Sequence, residues 1–353
     1  MSLKAYAMDD AANRLQTVLR GRDGLFTARP TIYIVILLTA LVAPVLYNLR
    51  TDGIFACPGT GYTSDRYLSV CNTKNYGDYD HGAFWFDLEP AAEMSAARAD
   101  VLFLGNSQLQ FAFSTVATAQ WFSSASASYY LLGFIGYGNS IFTGGLLHKL
   151  KPRAEVYVIN VLDYGFFQRS ETPYAIAVHD DAARTRYEVK RLWQFVHKPI
   201  CSKLAALCGH QVSVFRSRQT GAFYPSTYIS RLSRMKVLPV SYDQQIDQRE
   251  IDEAVEIGRK FLSELPVKGE CVILTAVPSA DTKLGVANAI ANGVGEMLVV
   301  PGHLDDLQTF DDAHLDQASA ERWSKAFFET AGPQIQKCLG VTHHGGNAAA
   351  SFS

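Results

Sequence analysis

The chain has 353 residues, enough to bury one large core or two ordinary ones. A net charge of −2 with 19% charged residues leaves no basic surplus for nucleic acid and no acidic tail. None of the six cysteines forms a C-x-x-C pair or flanks histidines at zinc-ligand spacing, so no metal site and no cofactor are expected.

In chain order, residues 1–29 carry Arg14, Arg20, Arg22 and Arg29 and are expected to form a cytoplasmic N-terminal segment. Residues 30–49, PTIYIVILLTALVAPVLYNL, hold no charge. An apolar run of about 20 residues suits one bilayer crossing by an α-helix. Tyr33 and Tyr47 stand where interfacial aromatics belong. A buried core helix of this length would keep a polar face. A cleaved signal peptide needs small residues before its cut, whereas here Leu41 precedes Ala43 and Pro44 follows. The expectation is a single-pass signal anchor in a bacterial inner membrane, with everything after residue 50 on the periplasmic side.

The cysteines suit export, with up to three disulfides. Cys57 and Cys71 would close a short loop; Cys271, opening an apolar strand, and Cys338, ending the last helix, would tie the C-terminus to a sheet. Cys201–Cys208 is the doubtful pair, because seven residues of unbroken helix span about 10.5 Å, too far for a disulfide.

Residues 50–95 are rich in Gly, Asp, Tyr and Asn and read as a loop-rich lead-in. An α/β domain then covers 96–340. Its strands are expected at 100–105, 155–160 and 271–277. Its helices are expected at 140–150, at 251–265 before Pro266, and at 317–332, ended by Gly332-Pro333. Short apolar strands separated by helices imply a mostly parallel sheet covered on both faces. A helical insertion at about 166–250 mixes basic and aromatic residues. It reads as a solvated helix pair, with a surface for a sugar-like ligand, an acidic ligand or the membrane as the alternative. The tail 341–353 reads as disordered.

Chemistry concentrates at two places. In ADVLFLGNSQLQFAFS (99–114) a strand ends in Gly105-Asn106-Ser107 and a helix begins. Ser107 is either the helix N-cap or a nucleophile, and a hydroxyl needs a base to attack. Of the nine histidines, His314 stands out in LQTFDDAHLDQASAERW, three residues after Asp311 and just before the last helix. That spacing lets a carboxylate orient an imidazole, although acidic residues also precede helices for capping. The α/β-hydrolase elbow wants a second glycine, which G-N-S-Q-L lacks, and CPGTGY and GYGNS lack the lysine of a phosphate loop.

Strand–G-N-S–helix near the start of the domain, with F-D-x-x-H-L before its last helix, resembles the SGNH (GDSL-like) hydrolase superfamily over roughly 98–165 and 250–335. The resemblance implies a three-layer α/β sandwich with Ser107 as nucleophile, His314 as base and Asp311 as its acid. Asn106 replaces the family's usual aspartate, which is not the nucleophile. The oxyanion hole is expected from the Ser107 backbone, Gly136 and Gly138, with Asp163 near the third block. That block departs from the pattern, because Asn160 comes too early. One anchor followed by such a domain is similar to the membrane-tethered partners of MBOAT acyltransferases, as in alginate O-acetylation and teichoic-acid D-alanylation. What the resemblance implies is O-acyl transfer, of an acetyl-type group, to a cell-envelope glycan with an MBOAT-type membrane partner. A membrane-anchored carbohydrate or lipid esterase and a catalytically degenerate scaffold subunit are the alternatives. The aromatic stretches NYGDYDHGAFWF and GAFYPSTY are candidate stacking surfaces for sugar rings.

Overall fold

The computed structural model describes residues 30–345 except 137, 162–164, 170–172, 226–236, 245–247, 268 and 303. The N-terminal segment 1–29 therefore lies outside the described residues. The uncharged run forms one helix, α1 (Pro30–Thr51), whose 22 residues are long and apolar enough to cross a membrane. At 1.5 Å per residue such a helix reaches about 33 Å, against a hydrocarbon core of about 30 Å. The chain divides after Thr51, and Asp52–Ser353 forms the second unit.

In the second unit, β1 (Arg66–Cys71), β2 (Gly77–Asp78), α2 (Asp80–Trp85) and α3 (Pro90–Arg98) occupy the stretch expected to be loop-rich. Strand and helix then alternate through β3 (Val101–Asn106), α4 (Ser107–Phe113), α5 (Val116–Ala125), β4 (Tyr129–Phe134), α6 (Ser140–Leu150) and β5 (Val156–Asn160). The insertion contributes α7 (Ala183–Lys203), β6 (Ser213–Ser217) and β7 (Phe223–Pro225). After it come α8 (Gln248–Glu264), β8 (Val272–Thr275), α9 (Leu284–Val294) and α10 (Gln317–Gly345).

The central sheet runs β8-β5-β3-β4 with every pairing parallel. A bridge from Leu274 to Leu298 extends it beyond β8. Its strands are buried along their whole length, because side chains alternate between two covered faces. Phe103, Val158 and Ile273 pack with Phe113, Trp323 and Phe327 from α4 and α10. Leu104, Tyr157 and Leu274 pack with Phe142, Phe261 and Ile290 from α6, α8 and α9. The expected mixed α/β architecture with a parallel sheet is thus present.

A second sheet, antiparallel in the order β2-β1-β6-β7, joins the lead-in to the insertion, so neither is the loop or helix pair expected of it. Its two halves, β1 with β2 and β6 with β7, pair locally, and the pairing that joins them, β1 with β6, spans more than a hundred residues. Arg216 of β6 ties this sheet to the first. Its guanidinium is fully buried, ion-paired to Asp80, and donates to the Leu131 carbonyl of β4. The Phe84 and Phe134 rings flank it at 4.9 and 5.0 Å. Tyr79, Phe84 and Phe223 are buried core residues, not exposed platforms for sugars.

Two further expectations change at the termini of elements. Helix α10 runs through Gly332-Pro333 to Gly345. A proline inside a helix costs about 3 kcal/mol. Here burial of Ile335, Cys338 and Leu339 against the sheet outweighs it. Residues 341–345 belong to that helix, while 346–353 lie outside the described residues. The cysteines pair as Cys57–Cys71, Cys201–Cys208 and Cys271–Cys338, which suits an extracytoplasmic, oxidising setting. The doubtful pair forms because α7 stops at Lys203. A tight 3₁₀ turn at Ala205–Leu207 brings the two Cα atoms to 5.8 Å.

Candidate active site

Strand β3 passes into α4 without a loop. Gly105 fits that junction closely: a Cβ there would lie 3.0 Å from Leu109 Cβ and 3.3 Å from Asn160 Cβ. The N-cap is Asn106, whose side-chain oxygen accepts the Gln108 N–H at 2.9 Å. Ser107 is therefore the first helical residue, and its hydroxyl is spared from capping. Strand β4 lies on one side of β3, and the crossover through α6 places β5 on the other. The carboxyl end of β3 is thus the point where the strand order reverses, the place at which open α/β sheets bind ligands.

The segment before α10 brings the other two groups to that point. His314 Nε2 lies 2.8 Å from Ser107 Oγ. Its Nδ1 lies 2.8 and 3.0 Å from the two oxygens of Asp311. Asp311 Oδ1 also accepts the backbone N–H groups of His314 at 2.9 Å and Ala313 at 3.3 Å. Between them Asp312 takes a left-handed conformation, φ 69°, and its carbonyl accepts the Ala280 N–H at 2.8 Å. The Phe310 ring stacks on His314, and the Phe111 ring meets it edge-on with centroids 4.8 Å apart.

Burial pushes the Asp311 carboxyl up. The hydrogen bonds and charge of His314 and the two backbone donors outweigh that effect and hold it below the usual carboxylate range. An ionised Asp311 accepts from Nδ1–H, which leaves the Nε2 lone pair directed at the Ser107 hydroxyl. Ser107 and the Asp311–His314 pair, expected from two separate stretches, are thus brought into one hydrogen-bonded chain.

The oxyanion candidates fare unevenly. Gly136 has φ 73°, and a Cβ on Gly138 would lie 3.0 Å from the Gly105 carbonyl, so the turn after β4 returns to the serine strand. Asp163 lies outside the described residues. Two polar residues near the site were not singled out for a role in the sequence. Gln108 Nε2 donates to the Ala313 carbonyl at 3.0 Å, clasping the serine helix to the histidine turn. Asn160 Oδ1 accepts the Val277 N–H at 3.0 Å. The signal available was position: Gln108 follows Ser107, and Asn160 ends the neighbouring strand. A cleft of about 880 Å³ abuts the turn at Asp312 and Ala313 and is lined further by Val277, Ser279, Asp281 and Lys283.

Among the described residues, His81, His148 and His197 sit elsewhere. His81 pairs with Asp78 at 3.1 Å in the core, and His148 meets Glu264 at the surface. His197, Cys201 and Cys208 bring ligand-type atoms within 4.8 Å of one another. Both sulfurs are spent in a disulfide, and the ring nitrogens face the Tyr62 hydroxyl and the Cys57 carbonyl. What the Ser107 constellation offers chemically is a nucleophile, its base and an orienting carboxylate. No protein-family model, curated protein or solved structure matches the chain.

Proposed function

We propose that this protein is a membrane-tethered serine acyltransferase of the SGNH type that passes an acetyl-type group to a hydroxyl of a cell-envelope glycan, supplied by an MBOAT-type membrane partner. The observation that carries the reading is the Asp311–His314–Ser107 chain at the carboxyl edge of the parallel sheet, with 2.8 Å at each end of the imidazole. The apolar helix α1 and the three disulfides support tethering and export.

In the proposed reaction His314 Nε2 takes the Ser107 proton as Oγ attacks the donor's acyl carbonyl. Asp311 stabilises the imidazolium that forms. The tetrahedral intermediate collapses, the leaving group departs with the proton from His314, and an ester on Ser107 remains. A glycan hydroxyl then gives its proton to His314 and attacks that ester. Collapse of the second intermediate returns the proton to Ser107 and releases the acylated glycan. Backbone N–H groups at the start of α4 and in the Gly136–Gly138 turn are the proposed donors to the oxyanion.

The decisive variant is Ser107→Ala, expressed at wild-type level in the source organism with ester-linked acyl groups on envelope glycans measured by mass spectrometry. Loss of acylation is expected. Unchanged acylation overturns catalysis and leaves a scaffold subunit, whereas increased acylation identifies an esterase.

A further inference from the structure

The outward side of α7 begins with the exposed Arg184–Glu188 ion pair and continues toward its C-terminus as an apolar stripe. Phe195 is 79% and Leu192 61% exposed, with Val189 and Val196 exposed beside them on the same side of the helix. The inward face carries Tyr187, Gln194, His197 and Cys201. Arg191, Lys198 and Lys203 are exposed along or beside the apolar stripe. Just past the helix, the turn closed by Cys201–Cys208 displays Leu204 and Leu207, both more than half exposed. A helix with one apolar face and basic flanks is built to lie in a lipid interface.

The same corner receives the chain as it leaves α1. Asp52 and Gly53 alone separate Thr51 from the 3₁₀ turn Ile54–Ala56. The Phe55 carbonyl accepts the Gly209 N–H at 2.6 Å, and the Ala56 carbonyl accepts the Gln211 N–H at 2.9 Å. The Cys57 carbonyl lies 2.9 Å from His197 Nε2, and a Cβ on Gly59 would lie 2.5 Å from Cys201 Cβ. Three residue steps of extended chain reach about 10 Å. The end of α1 and the disulfide corner are therefore covalently leashed to one another, whatever the angle between them.

We infer that the outer face of α7 and the Leu204–Leu207 turn dock on the anionic phospholipid surface of the membrane that α1 enters. The inference rests on the tethered reading of α1. Docking of this kind fixes the orientation of the catalytic unit toward the bilayer, where a membrane partner would deliver its acyl group.

The test uses the full chain, one copy per lipid nanodisc of mixed zwitterionic and anionic phospholipid, with Val196→Cys carrying an environment-sensitive NBD label. Met297→Cys, at a position 78% exposed, carries the same label as the aqueous control. Docking predicts blue-shifted emission at 196, several-fold brighter than at 297 and quenched by brominated acyl chains. Leu204→Glu with Leu207→Glu returns the label at 196 to water while the disulfides and circular dichroism stay unchanged. A label at 196 that stays aqueous in a chain resisting carbonate extraction overturns docking alone. A chain stripped by carbonate overturns the anchor and this inference with it. Shielding seen only with several copies per disc, or only in native vesicles, assigns the face to a second copy or a protein partner and overturns the lipid assignment.

Discussion

Asp311→Asn separates orientation from packing at the candidate site. Two backbone donors, His314 N–H at 2.9 Å and Ala313 N–H at 3.3 Å, converge on Oδ1. An asparagine satisfies them by placing its carbonyl there, which sends its NH₂ to the position of Oδ2. That position lies 2.8 Å from His314 Nδ1. With the donor at 2.8 Å and the carbonyl, already accepting two backbone N–H groups, at 3.0 Å, Nδ1 is favoured to present its lone pair, so the proton moves to Nε2, which then points an N–H at Ser107 Oγ. The base becomes unable to accept the hydroxyl proton, although Phe111 and Phe310 still hold the ring in place. The same exchange in a chymotrypsin-type triad lowers turnover by about 10⁴, and four decades correspond to about 5.4 kcal/mol of barrier. The assay is the rate of Ser107 modification by a fluorophosphonate or by p-nitrophenyl acetate, followed by intact-mass spectrometry. Thermal unfolding is the control, with the turn intact and stability within about 1 kcal/mol, the worth of a typical hydrogen bond. Labelling of Asp311→Asn within tenfold of wild type would refute the claim that Asp311 sets the tautomer.

Other perturbations follow from the same contacts. Arg216→Ala leaves Asp80 buried without its cation, held among the described residues only by the Tyr67 hydroxyl, with an expected loss of about 3–5 kcal/mol in urea unfolding; Arg216→Met with Asp80→Asn recovers most of it. Gly105→Ala forces a methyl against Leu109 and Asn160. The expected cost is about 1–3 kcal/mol of overpacking, with slower fluorophosphonate labelling because the strain falls one residue from Asn106. Glu93 is pushed up to about 8, first by burial and then by neighbouring Asp87. The folded chain then holds a proton that the unfolded chain releases above about 4.3. Stability should fall as pH rises from there to about 8 and flatten beyond. Glu93→Gln removes that slope, which denaturation at a series of pH values measures.

What the sequence reveals about this protein follows from how local each feature is. β3, α6, β5, α8 and β8 were legible because each carries its own period or apolar run within a dozen residues. Asp311 and His314 were legible for a similar reason: a three-residue spacing before a helix is a local geometry. The antiparallel sheet was hidden, since Leu68 pairs with Phe215 and the fixing charge pair joins Asp80 to Arg216 across the chain. No window contains both partners, and Tyr67 or Phe84 read alone looks like an aromatic loop. The same nonlocality explains Pro333, where a strong local stop signal yields to Ile335 and Cys338 buried against a sheet that the local signal does not contain. Ser107 lies between these cases. Its choice between cap and nucleophile turns on Asn106, one residue away, which takes the capping role and leaves the hydroxyl to face a histidine 207 residues later. The local half of that answer was written in G-N-S. The distant half required the sheet, whose strand order brings the end of β3 and the turn before α10 to the same edge.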